Sequence, residues 1–321
     1  MMDESPAICI IILNWNGWKD TIECLESIFG IEYSNYSVIV VDNDSTNDSI
    51  NKIKEYAIGN LRTKSTFFEH NTKNKPISFL ECSENDKIKI ASEKLFIIKN
   101  QDNYGFSKGN NIGIKFSLDN LSPDYILLIN NDTVVDKNFL GELIKLSEID
   151  ENITVIGPKI YYYDYNGKSD VINFAGGKIN WLIYPGYHHI KNDPKSNNSP
   201  ILECDWITGA AMMIKIKNYK FPLLNEEYFF GCEDVDFCLN LKKENKIAVA
   251  LNSVIWHKIG ISRDKKINNI SINALSDFKT NITFLKKNSP YYFLLIPFYL
   301  LQVLLGILKI NLKAHLGINI K

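Results

Sequence analysis

The chain has 321 residues, enough for one large domain or two small ones, and its 45% hydrophobic and 23% charged content is that of a globular protein, not a disordered or fibrous one. A net charge of -1 argues against a dedicated nucleic-acid binder, which carries a strongly basic face. The six cysteines form no CxxC pair, which argues against a zinc site or a disulfide framework and points to a reducing compartment.

The start, Met1-Met2-Asp3-Glu4, is acidic rather than basic and does not read as a signal peptide. Residues 7–13 and 37–41 are short, β-branched apolar runs, predicted as fully buried strands. Between them Ile22, Leu25, Ile28 and Phe29 recur at helical spacing. Residues 62–94 interrupt the rhythm with a polar, Lys-rich stretch that reads as an insertion without assigned function. Strands follow at 95–98 and 125–129, with a helix near 108–118 between them. Strand alternating with helix predicts an α/β fold with a mostly parallel central sheet, flanking helices and right-handed crossovers.

Further on, a helix is expected at 138–148, a turn or strand at 155–160, a polar loop at 191–200, strand character from Trp206 to Ile216 and a helix at 234–244. Residues 1–265 read as one domain and 266–321 as a C-terminal helical, membrane-associating segment. Within it, Tyr291 to Leu308 is an 18-residue run without a charge, flanked by Lys286 and Lys287 before it and Lys309 after. As a helix it would extend roughly 27 Å, slightly short of a hydrocarbon core of about 30 Å. Pro297 and Gln302 interrupt it, so crossing the bilayer and lying in its interface both stay open.

Asn130-Asn131-Asp132 closes the strand at 125–129, and in an open α/β sheet the carboxyl ends of strands are where ligands bind. Alone the tripeptide is an ordinary strand-end turn. Its meaning comes from Asp42-Asn43-Asp44 at an earlier strand end and from Glu233-Asp234 and Trp256-His257 later in the chain. Together these predict one metal-assisted site for a nucleotide-linked substrate. Asn103 to Asn111 is Gly-rich, with Gly105 and Gly109, but has neither the Lys-Ser/Thr of a P-loop nor a GxGxxG spacing. His188-His189 has no spaced partner and is not counted as a metal site.

In order along the chain stand Ile12-Leu13-Asn14-Trp15-Asn16, Val41-Asp42-Asn43-Asp44-Ser45, Asn103-Tyr104-Gly105-Phe106 with Gly109-Asn110-Asn111, Asn130-Asn131-Asp132, Trp206-Ile207-Thr208-Gly209-Ala210 and Phe230-Gly231-Cys232-Glu233-Asp234-Val235-Asp236. This ordered set resembles the family 2 glycosyltransferases of the GT-A fold, in particular their rhamnosyltransferase-like branch, over about residues 7–260. The resemblance implies inverting transfer of a sugar from a nucleotide-diphosphate donor to an acceptor hydroxyl. It implies a divalent cation, Mg²⁺ or Mn²⁺, held by Asp132 and His257, with Asn130 a neutral departure from the family's Asp-x-Asp pattern. One carboxylate with phosphate oxygens is a workable set for such an ion.

The same resemblance assigns Asn14, Asn16, Asp42, Asn43, Asn103, Gly105, Phe106, Asn110, Asn131 and Asp132 to the donor nucleotide and sugar. Asp42 and its neighbours are equally good caps for the helix that follows. Asp234 matches the catalytic base and Glu233 its neighbour in acceptor binding, and the two can exchange roles; as residues of a first helical turn they also simply complement a helix dipole. Trp206, Thr208 and Gly209 match the segment where donor and acceptor sugars meet, although a Trp entering a strand suits a core equally well. The expected partners are a nucleotide-diphospho-sugar and a glycan or lipid-linked acceptor at the cytoplasmic face of the cell membrane, with 291–308 as the membrane contact and no nucleic acid. Two other classes compete. A sugar-phosphate nucleotidyltransferase wants a basic Gly-rich loop that Asn14-Trp15-Asn16-Gly17 does not offer, and a degenerate nucleotide-sugar-binding scaffold has Asn130 as its only support.

Overall fold

Four runs of buried β-branched and aromatic residues build the centre of the molecule: β1 (Ile8–Asn14), β2 (Tyr36–Asp42), β4 (Leu95–Lys99) and β5 (Tyr125–Asn130). The computed structural model describes residues 5–86, 92–181, 187–190, 199–216, 224–258, 270–297 and 299–301. All four strands are parallel, as expected of strands apolar on both faces. Their registers align the ends: Asn14 pairs with Asp42, Leu13 with Asn130, and Asp42 with Lys99. Polar strand-end residues far apart in sequence thereby meet on one edge.

The remaining elements are α1 (Trp18–Ile28), α2 (Ser49–Ala57), β3 (Phe79–Ser83), α3 (Gly105–Asn120), β6 (Thr133–Val135), α4 (Phe139–Ser147), β7 (Ile153–Tyr162), β8 (Ile172–Phe174), β9 (Gly177–Ile179), β10 (Tyr187–His189), β11 (Ile201–Glu203), β12 (Ala211–Lys215), α5 (Glu233–Leu241), β13 (Lys246–His257) and α6 (Ile270–Asn288). Among the described residues the main sheet has eleven strands in the order β11-β13-β7-β12-β5-β1-β2-β4-β3, with β6 paired to β13 and β8 to β7. The chain builds outward from β1 through β2, then returns to place β5 on the other side of β1. That reversal opens a crevice at the strand carboxyl ends.

Three expectations change. The polar stretch 62–94 is not only an insertion, because Phe79–Ser83 forms β3 and extends the sheet parallel to β4. Strand character does not begin at Trp206: β12 starts at Ala211, since Thr208 and Gly209 turn the chain and the Gly209 N–H goes to a side chain instead of a ladder. The helix expected near 108–118 is longer, running from Gly105 to Asn120 and taking in the Gly-rich segment from its first glycine. Its glycines are there for packing: a Cβ on Gly109 would lie 2.6 Å from Leu13 and one on Gly113 2.7 Å from Ile11, so α3 sits close on the sheet. β12 runs antiparallel to both β5 and β7, making the sheet mixed.

Residues 1–177 and 189–259 form one compact unit, and 178–188 with 260–321 a second. In the second, α6 ends before Pro290, and helical turns resume at 292–297 with Phe293 and Leu294 exposed. No helix among the described residues is long and apolar enough to cross a membrane, and residues 302–308 of the uncharged run lie outside them.

Candidate active site

The floor of the crevice is a lattice of hydrogen bonds between strand ends. Asn14, fully buried at the end of β1, donates to Asp42 Oδ1 (2.5 Å) and Ser45 Oγ (3.1 Å), while its Oδ1 accepts from Thr21 Oγ1 (2.8 Å). Asp42 also accepts from the Ser45 hydroxyl (2.7 Å) and backbone N–H (3.0 Å). It therefore closes an Asx-type turn after β2 rather than capping α2 directly. Asn43 donates to Asn103 Oδ1 and to the Gly105 carbonyl, both at 3.0 Å, and ties the end of β2 to the start of α3. Asn16 adopts a left-handed backbone (φ 54°), and its Oδ1 accepts from the backbone of Thr46 and Asn47. Asn131 reaches Thr21 Oγ1 at 3.0 Å, and the Asn110 amide bonds the Phe106 carbonyl of its own helix at 2.9 Å.

Asp132 follows β5 and meets His257, the last residue of β13, with Oδ1 and Nε2 3.0 Å apart. The pairing of β6 with β13, Thr133 opposite His257, sets that approach. Burial alone would raise the Asp132 carboxyl, but the His257 ring and the nearby Lys258 ammonium outweigh it and hold it below the usual carboxylate range. An oxygen and an imidazole nitrogen suit a divalent cation such as Mn²⁺. At 3.0 Å Asp132 Oδ1 and His257 Nε2 are hydrogen-bonded to each other, and these two side chains would hold the ion. No group of three or more His, Cys, Asp or Glu side chains converges on a metal position among the described residues, so the rest of a coordination shell would come from substrate and water.

Glu233 and Asp234 open α5, preceded by Gly231 (φ 94°) and Cys232 (φ 67°). A left-handed Cys is a strained choice, of the kind found where a chain must aim a functional group. Asp234 accepts from the backbone N–H of Gly209 and of Val235, each at 2.8 Å. Burial raises its carboxyl above the usual value despite those two donors. Gly209 leaves space for the Phe106 ring, which a Cβ there would meet at 2.9 Å. Trp206, by contrast, is 2% exposed, its ring packed against Phe174 and His189 with centroids 5.1 and 5.2 Å away, so it offers no face to a sugar.

The start of α3 and the segment before α5 meet at Gly105. Its φ of +78° and the Phe229 carbonyl, 2.5 Å from where a Cβ would stand, admit only glycine, and Phe106 donates to that carbonyl at 2.8 Å. Gly105→Ala is expected to cost about 2 kcal/mol, from the left-handed backbone and the overlap together. A lowered urea midpoint with unchanged slope would register it.

The sequence reading passed over Lys258, Asp20, Glu23 and Tyr163. Lys258 Nζ bonds Asp20 Oδ1 and Glu23 Oε2, both at 2.6 Å, and Tyr163 donates to Glu23 Oε1 at 2.7 Å. In the sequence Asp20 and Glu23 lie three apart and Lys258 directly follows His257, but neither spacing marks a contact between them.

Comparison with known proteins places the chain by family and fold. The model of the glycosyl transferase family 2 matches residues 9–82 and 81–207. The low-salt glycan biosynthesis hexosyltransferase Agl10 of Haloferax volcanii is 24% identical over 254 residues, 76% of this chain and 64% of the relative. The rhamnosyltransferase WbbL of Escherichia coli K12 is 24% identical over 147 residues, 43% of this chain and 54% of the relative. The chain thus spans less than two thirds of either relative. Among solved structures, GalNAc-T7 with UDP, GalNAc and Mn²⁺ aligns at a TM-score of 0.58, with 14% identity, over 79% of this chain and 44% of that one. The mannosyltransferase PcManGT of Pyrobaculum calidifontis, with GDP-Man and Mn²⁺, aligns at 0.54, with 11% identity, over 92% and 68%. The fold is of the GT-A type.

Proposed function

Because the chain belongs to glycosyl transferase family 2, we propose that it is an inverting glycosyltransferase, moving a sugar from a nucleotide diphosphate to a hydroxyl of a glycan or lipid-linked acceptor in cell-surface polysaccharide synthesis. The observation that carries this reading is the Asp132–His257 contact at the crevice edge, which brings a carboxylate oxygen and an imidazole nitrogen together. Asp132 and His257 would hold a divalent cation, and its charge would offset the negative charge that develops on the leaving diphosphate. Asn14, Asp42 and Asn43 shape the donor floor, with Asn16, Asn103, Gly105, Phe106, Asn110 and Asn131 around it.

Asp234 serves as the base. The acceptor oxygen attacks the anomeric carbon, its proton passes to the Asp234 carboxylate, and the bond from that carbon to the phosphate oxygen breaks from the opposite face. One displacement of this kind inverts the anomeric centre. The Gly209 and Val235 N–H groups fix the carboxylate, leaving Thr208, Gly209 and Glu233 to line the acceptor side. The donor we favour is dTDP-rhamnose or a UDP-sugar, the former supported by likeness to a rhamnosyltransferase. Exposed Phe293 and Leu294, with Lys286 and Lys287 nearby in sequence, support contact with the cytoplasmic membrane face through the 291–308 segment.

Thermal stabilisation tests the donor site. With dTDP-rhamnose, UDP-sugars and GDP-mannose, each with and without Mn²⁺ or Mg²⁺, one nucleotide should raise the midpoint only when metal is present. A ligand at a hundred times its dissociation constant adds about 2.7 kcal/mol. No shift with any donor in a folded sample would overturn the donor-site assignment.

A further inference from the structure

We propose that Lys258 is a positioning residue for Asp132 and His257, the two side chains that would hold the metal: by clamping the end of β13 onto α1 it keeps His257 beside Asp132. The inference rests on the metal-assisted reading of the site given above. Three contacts carry it. The Lys258 backbone N–H donates to the Asp132 carbonyl at 3.0 Å, so the residue is anchored to one ligand while directly following the other. Its Nζ is shared between Asp20 and Glu23, one turn apart on α1, at 2.6 Å each. The Lys258 side chain is only 14% exposed, so both carboxylate contacts are made largely out of water.

The clamp is braced from outside. Tyr163 lies under the Lys258 ammonium, 5.0 Å from ring centroid to Nζ, and donates to Glu23. Phe67, from the stretch between α2 and β3, packs on Tyr163 and on Trp256 with centroids 4.9 and 4.5 Å away. Trp256 and Lys258 flank His257, so both neighbours of the histidine are fixed by groups outside β13. That stretch is in turn held on α1 through Glu26, which pairs with Lys75 at 2.9 Å. Along α1, Asp20 and Glu23 take Lys258 and Glu26 takes Lys75, so the one helix anchors both the end of β13 and the stretch that carries Phe67. Outer groups that orient first ligands typically change metal affinity by about 10- to 100-fold when removed.

Charge alone makes the opposite prediction. Lys258 is a cation beside a cation site, so removing it should tighten binding if geometry played no part. The experiment titrates Mn²⁺ into the full chain with UDP, dTDP or GDP present and reads free Mn²⁺ by electron paramagnetic resonance; nucleotide affinity without metal is measured in parallel. Lys258→Met is expected to weaken Mn²⁺ binding about ten-fold or more with metal-free nucleotide affinity unchanged, and Lys258→Arg to restore most of it. Where Lys258→Met does not fold, the variant Asp20→Asn/Glu23→Gln/Lys258→Met leaves no charge in the clamp and is expected to show the same loss. Unchanged or tighter Mn²⁺ binding in a folded variant overturns the inference alone. Wild type that takes up no Mn²⁺ with any of the three nucleotides overturns the metal reading of the site, and this inference with it.

Discussion

Asp234→Asn lowers the rate of transfer by about 10²–10⁴ while leaving nucleotide and metal binding intact, the loss expected when a general base is removed. The substitution is nearly isosteric, but an amide has one acceptor oxygen where the carboxylate has two. One of the N–H groups of Gly209 and Val235, now 2.8 Å from a carboxylate oxygen, then faces an NH₂ group, so the side chain turns as well as losing its basicity. The pH profile separates the two effects. Burial raises the Asp234 carboxyl, so its acidic limb lies above the ordinary aspartate range. Below that limb the carboxyl already holds a proton and cannot take one from the acceptor, and the rate climbs as pH rises through it. In the Asn variant the residual rate has no such limb. If the variant keeps more than about a tenth of the activity and the limb, the base is Glu233 instead, the exchange of roles the sequence left open.

The parallel half of the fold was legible because its strands are buried on both faces and read as unbroken apolar runs. Asn14, Asp42 and Asn130 could be placed near one another from that alone, since parallel neighbours end together. Legibility failed where one residue type serves two purposes. The glycines of 105–113 looked like a ligand loop, yet Gly109 and Gly113 are small so that a helix can approach Leu13 and Ile11. Trp206 looked equally fit for a sugar or a core, and only its burial against Phe174 and His189 decides between them. Lys258 was invisible for another reason. Its partners Asp20 and Glu23 stand 238 and 235 positions away, and no local pattern encodes a contact made by tertiary folding.

Glu26→Ala should destabilise the protein by about 3–5 kcal/mol, the usual effect of removing one member of a buried ion pair. The Glu26 side chain is 1% exposed and that of Lys75 5%. Its carboxylate also accepts from the Tyr56 hydroxyl at 2.7 Å and the Asn71 backbone N–H at 2.5 Å. Alanine would leave an ammonium, a phenol and an amide in the interior without that acceptor. At about 2–4 °C per kcal/mol the midpoint should fall by roughly 6–20 °C in a thermal melt. Burial by itself raises the Glu26 carboxyl, but Tyr56, Asn71 and Lys75 together bring it below the usual glutamate range. The stabilisation is therefore complete above the unfolded value and is lost as pH falls through the lower folded one. Acid titration of the wild type should show that loss and Glu26→Ala should lack it. Replacing the pair with apolar groups, Glu26→Leu with Lys75→Met, should recover much of the deficit, because a buried pair exchanged for hydrophobic side chains of similar size is often close to neutral. A single variant as stable as wild type would mean that water already reaches this carboxylate, and that α1 does not hold the 60–78 segment through it.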